Sequence, residues 1–295
     1  MTTALIPQPT PNTDHNEDTA MTATTTATGP VTTTRALSET KATFGGAVVG
    51  EWIKFRSVRS TVWTLIAAGI SIVAFGVIFS ATAGSGVSGP GPGAQLTDPV
   101  SLALGAVDLA QLIVGVLGVL VVATEYSTGL IRTSVATVGR RLRLLVGKIT
   151  VLGAATAVTS AVSVTLAAWL GQAVYAGDLA TVAISELGDV ILGATVYLTG
   201  IALIGAALGF IFRSTAAGIG VLMGGIFIGP NLLSLLPDGF SDVVLKYLPS
   251  NAGSAMMGDV SNVELLSTGA AYTVFIAWVI GLLALAGATL RNRDA

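Results

Sequence analysis

Six apolar blocks, each about as long as a helix needs to cross a membrane, restrict the fold of this chain more than any other feature. They lie at Val62–Ser80, Leu104–Thr124, Leu144–Leu170, Gly188–Phe212, Ala217–Leu236 and Ala270–Leu290. About 20 apolar residues in helical form span the roughly 30 Å hydrocarbon core of a bilayer. Backbone groups in lipid find no water, so each block is expected to close its hydrogen bonds internally, as a helix. Only 10% of the residues are charged, against about a quarter in an average soluble domain. The expected fold is an all-α membrane protein with six transmembrane helices, resident in the plasma membrane with the lipid bilayer as its main surrounding and no nucleic-acid partner.

The charges are sorted by side. Arg35, Lys41, Lys54, Arg56 and Arg59 precede the first block, and the loop after it has no Lys or Arg and contains Asp98. Arg132, Arg140, Arg141, Arg143 and Lys148 follow the second block; Asp178 and Glu186 follow the third. Arg213 marks the turn after the fourth, four acidic residues and Lys246 fill the loop before the last, and Arg291 and Arg293 close the chain. Of the 14 Lys and Arg residues, all but Lys246 therefore fall on one side. Because basic flanks stay in the cytoplasm, both termini are expected there. Lys148, at an inner span end, is expected to snorkel.

Residues 1–43 form a separate region, Thr-rich and poor in large apolar side chains, with Pro7, Pro9 and Pro11. Such a segment buries too little surface to offset its ordering entropy and is expected to be a disordered cytoplasmic tail. The transmembrane domain then runs over 44–295. In front of the first span, Phe44, Val48, Trp52, Phe55 and Val62 follow helical spacing, which suits a cytoplasmic helix lying in the interface. Glu51 interrupts that face and has Lys54 three residues on as a candidate partner.

Enzyme constellations are missing. Gly86–Gly89 reads GVSG, the pattern of an intramembrane serine protease, but the one histidine is His15 in the tail, so the serine lacks a base. Val146–Thr150 faintly resembles a phosphate loop, yet Leu142 and Ile149 stand where the motif needs Gly and Ser or Thr. With no cysteine and no acidic metal cluster, neither a catalytic role nor a metal or cofactor in this chain is expected. Ionisable groups inside the spans are few, and Asp108 is the weak candidate for lining a pathway. Gly205, Gly209, Gly220, Gly224, Gly225 and Gly229 recur at four-residue spacing, the pattern that lets membrane helices approach closely.

The connector after the second span carries a different pattern. Glu125, Gly129 and Arg132 stand at i, i+4 and i+7, one face of a helix that would prolong the span. The stretch EYSTGLIR, Glu125–Arg132, resembles the E-Y-x-x-G-x-x-R pattern that follows the second span of ABC transporter type-2 permeases. The resemblance extends over about residues 44–290: EWIKFRSVRSTVWTL at Glu51–Leu65 looks like the N-terminal helix of actinobacterial members, and YLPSNAG at Tyr247–Gly253 like their external loop. It implies a permease subunit, most simply an exporter of an amphipathic substrate, with ATP and Mg²⁺ held by a separate ATP-binding-cassette ATPase and with a second permease copy or homologue. It further implies that Glu125, Tyr126, Gly129 and Arg132 meet that ATPase, and that short or re-entrant external helices precede the last span, where Gly229-Pro230 interrupts an apolar run. An ion- or proton-coupled carrier is the alternative, with a non-transporting scaffold behind it.

The charge sorting yields a direct test. Reporter fusions after Ala83, Gly177 and Ser254 are expected on the external side, and fusions after Gly139, Ser214 and Asp294 in the cytoplasm. An external Gly139 would overturn the six-span topology.

Overall fold

In a computed structural model, residues 44–82, 99–131, 141–175, 187–237, 243–258 and 266–292 are described, and no strand occurs among them. The expected tail and most of the basic connector, including Arg132 and Arg140, lie outside these residues. The helices are α1 Phe44–Ser57, α2 Arg59–Thr82, α3 Pro99–Ser127, α4 Arg141–Val174 and α5 Gly188–Phe212. They continue with α6 Thr215–Leu233, a short α7 at Pro249–Met256 and α8 at Thr268–Asn292. The helices long and apolar enough to cross a membrane are six: α2, residues 105–127 of α3, residues 142–174 of α4, α5, α6 and α8.

Lipid offers no hydrophobic drive for one apolar helix to prefer another, so close backbone approach and polar contacts must place them. The closest approach joins α3 to α5. A methyl group on Gly118 would run into the carbonyl oxygen of Ala202, and one on Gly205 into that of Gly115. Gly209 leaves room for Val122, whose Cβ would lie 2.9 Å from an added methyl. Ala110, Ala202, Ala206 and Ala207 are fully buried along this seam.

The other helices dress it. Gly69 of α2 faces Ser163 and Thr159 of α4. Gly200 of α5 accepts the ring of Phe275 from α8, which also packs 5.3 Å from the ring of Tyr197. The short α7 is buried through Ala252, Gly253, Ala255 and Met256; Gly253 lies under the Tyr197 ring and Gly193 under the Met256 carbonyl. It thus sits against the end of the bundle where α5 begins, whereas α1 sits where α3 ends.

α6 starts after a tight reversal. Arg213 adopts a left-handed conformation, φ 54°, and its N–H returns to the Gly209 carbonyl. The Ser214 hydroxyl then caps α6 by accepting from the Ala217 N–H at 3.4 Å, the role that suits serine at a helix start. Gly229-Pro230 does not end α6. Residues Gly224–Ile228 instead form a π-helical stretch in which the Gly229 N–H reaches Gly224, and the helix continues to Leu233. Pro230 has no N–H and its ring would clash one turn back; a wider turn accommodates it.

The glycine pattern divides accordingly. Gly205 and Gly209 lie in the α3–α5 seam. Among the described residues, and apart from their own helix backbone, no atom comes within 4 Å of an added Cβ at Gly220, Gly224 or Gly225, and Gly229 meets the Gly224 carbonyl at 3.2 Å. Gly118→Ala should therefore cost about 1–3 kcal/mol, the range for overpacking, whereas Gly220→Ala should leave the monomer's stability unchanged. Thermal unfolding of the two variants in one detergent checks this.

Candidate functional site

Where α1 crosses the ends of α3 and α4, four ionisable side chains meet. Lys148, on the second turn of α4, is 3% exposed and donates to Glu51 Oε2 of α1 at 2.8 Å and to Glu125 Oε1 of α3 at 2.6 Å. Lys54, one turn after Glu51 on α1, makes an ion pair with the same Glu125 oxygen. Glu51 and Glu125 are buried at 8% and 5%. Two carboxylates and two ammonium groups thus hold three helices together, with formal charges that cancel. Lys148 is buried rather than snorkelling, and Lys54 reaches Glu125 of α3. Each lysine bridges to another helix instead, because burial makes an unpaired charge far more costly than the entropy of fixing its side chain.

This changes the reading of α1. Its buried residues are Ala47 and Glu51, while Phe44, Trp52 and Ile53 are exposed. An added methyl on Gly147 of α4 would lie 3.5 Å from the Ala47 carbonyl. The buried face is therefore small and charged; Phe55 packs against the bundle core from its edge, and Phe44, Trp52 and Ile53 look outward. α1 breaks at Val58, so Val62 belongs to the next helix.

The end of α3 also departs from expectation. The helix stops at Ser127, and Gly129 adopts φ +72°, the left-handed conformation common just past a helix C-terminus. The Ser127 and Thr128 hydroxyls both donate to the Thr124 carbonyl, at 2.9 and 2.8 Å, which also accepts the Thr128 N–H at 3.0 Å. Gly129 therefore does not continue a helical face with Glu125, and a side chain there is disfavoured by backbone strain rather than by crowding. Arg132 lies outside the described residues. Tyr126 is held by α5: its ring meets Phe210 edge-on at 6.4 Å, and the Arg213 guanidinium lies 5.2 Å above it.

A cavity of about 480 Å³ opens beside the ion cluster, walled by α1, α2, α3 and α4. Glu51, Lys54, Glu125 and Lys148 form its polar side, and the walls include Val58, Leu117, Leu120 and Leu130. Within this lining, Glu125 Oε2 is the buried polar atom that no described residue bonds.

At the opposite end, exposed Asp108 accepts from Gln111 Nε2 at 3.3 Å, and Gln111 Oε1 accepts from the Tyr197 hydroxyl. Gln111 and Tyr197 are buried, so Asp108 is the outer member of a polar chain that reaches the α3–α5 seam. Sequence reasoning named Asp108 and missed the two residues behind it. It also missed Lys148 as a partner of Glu125. The available signal was that Glu51, Glu125 and Lys148 place opposite charges at the same end of adjoining apolar blocks.

Residues 102–290 match the family described as ABC-2 family transporter protein. No curated protein matches the chain.

The ion cluster makes a stability prediction. Lys148→Met strips Glu51 of its Lys148 partner and leaves Glu125 with Lys54, and should destabilise the protein by about 3–5 kcal/mol, the cost of breaking a buried pair. Adding Glu51→Gln and Glu125→Gln to Lys148→Met should recover part of that loss. Melting temperature and protease resistance in detergent, measured for the single and triple variants, check both statements.

Proposed function

The chain belongs to the ABC-2 family of transporters, a multi-pass membrane permease, and we propose that it exports an amphipathic substrate under the drive of a separate ATP-binding-cassette ATPase. The observation that carries this reading is the family match over 102–290, which takes in five of the six candidate spans from residue 105 onward. The sequence has no phosphate loop of its own, so ATP and Mg²⁺ belong on the partner. The α1 end of the bundle faces the cytoplasm in this proposal, as the sorted Lys and Arg residues favour.

The ATPase meets the segment around Glu125, Tyr126, Gly129 and Arg132, together with the basic connector. Buried in the ion cluster, Glu125 acts within the chain: it ties α3 to α1 and α4, so displacement of one is felt by the others. Tyr126, seated on Phe210 and under Arg213, links the same point to α5. Closure of the ATPase pair would then shift helices that the cluster holds as one body, a population change between inward- and outward-open states. A second copy or a homologue completes the pathway.

Purified alone, the chain should neither bind nor hydrolyse ATP. Co-expressed with its ATPase, it should form a stable complex with vanadate-sensitive hydrolysis. Substrate flux in liposomes driven by a proton or sodium gradient, with no ATPase present, would overturn the proposal.

A further inference from the structure

We propose that the cavity beneath α1 seats an amphipathic ammonium ion, whose charged head replaces the Lys54 ammonium on Glu125. The proposal rests on the reading of the chain as an exporter of amphipathic substrates and names the head group they carry.

Size and lining fit such a ligand. At about 480 Å³ the cavity lies within the range of small-molecule sites, about 300–1,000 Å³. Leu117, Leu120, Val121 and Leu130 offer an apolar wall for an alkyl or aryl body; hydroxyl residues such as Ser60, Thr61 and Thr64 also line the cavity, but its charges are confined to one ion cluster. Within that lining the unmet demand is for a donor: Glu125 Oε2 is buried and accepts nothing from the described residues, and no buried donor atom of the lining is left without a partner.

The two lysines on Glu125 differ in a way that selects which one yields. The Lys148 side chain is 3% exposed and bridges two carboxylates. The Lys54 side chain is 29% exposed. It lies at the cavity's edge on α1, so its ammonium can move to water. Exchange of one ammonium for another leaves the cluster's formal charge unchanged, so the buried carboxylates are never stranded. A carboxylate or phosphate head would instead face Glu51 and Glu125. A neutral alcohol would satisfy Glu125 Oε2 but would leave Lys54 in place.

The test is equilibrium binding of radiolabelled decylamine to the full chain in nanodiscs of zwitterionic lipid, corrected with empty nanodiscs, beside decanol and decanoate. Saturable binding of the amine, with the other two much weaker, is expected. Glu125→Gln should weaken amine binding about tenfold, as loss of a charged hydrogen bond implies. Lys54→Met, which vacates the seat, should tighten it by a similar factor, a change that structural damage does not produce. Thr124→Trp, placed at an exposed position on the cavity wall, should abolish binding without disturbing the core. Equal binding of decanol or decanoate, no tightening in Lys54→Met, or wild-type binding in Thr124→Trp would each overturn the proposal. ATPase association is measured on the same preparations. Lost amine binding with an intact ATPase complex refutes the seat alone, and the reverse refutes the ATPase partnership alone.

Discussion

The contact between α3 and α5 is the constraint on which the arrangement depends. In lipid, helices gain little by hiding apolar surface from one another, and association rests on van der Waals contact and polar groups. Glycine at 118 and 205 lets these two backbones approach until carbonyl oxygens fill the space a side chain would take, and Gly209 makes room for Val122. Each remaining span is positioned from this pair. α2 and α4 lie along one side through Gly69, Ser163 and Thr159, and α8 docks Phe275 over Gly200. The first half of α6 packs Gly218 and Leu222 onto Val119 and Gly115. Both polar assemblies are extensions of the seam, with Gln111–Tyr197 toward one end and the Glu125 cluster at the other.

Buried ion clusters contribute less to net stability than their short distances suggest, because desolvating the charges costs several kcal/mol per ion. Their effect here is on specificity. α1 buries Ala47 and Glu51 and packs Phe55 against the core, a small apolar contact for selecting one docking position. A lysine that must satisfy two carboxylates from different helices can do so in few arrangements. The cluster therefore fixes where α1 lies, and through Lys54 it fixes the depth of α1 relative to α3.

The six spans were legible because the bilayer imposes length and composition on each segment independently of its neighbours. Tertiary pairing has no such local imprint. Lys148 reads as one more basic flank, since a charge count does not distinguish a topology signal from an ion-pair partner. Only the shared position of α1, α3 and α4 joins it to Glu51 and Glu125. Gly129 was read by its spacing from Glu125 as part of a helical face; the better local cue was Ser127-Thr128 immediately before it, hydroxyls suited to a helix end. The glycine repeats were visible as a pattern without an address. Spacing alone does not tell Gly205, pressed against a backbone, from Gly220, which faces away from the chain. Glu125 and Asp108 were found as single residues; Lys148 and Tyr197 were hidden because their pairings with Glu125 and Gln111 span separate helices, whereas Gln111, three residues from Asp108 on α3, was within reach of local spacing.

The cancelling charges of the cluster have an electrical consequence. A charge carried across a membrane exchanges about 2.3 kcal/mol with each 100 mV of potential, and four charges moving together could make a helix rearrangement strongly voltage-dependent. Glu51, Glu125, Lys54 and Lys148 sum to zero. The field pulls their members in opposite directions and does no net work when they travel as a unit. The cluster thus anchors α1 to the bundle by ions without itself coupling that contact to the membrane potential; any charge α1 carries beyond it is that of Arg56.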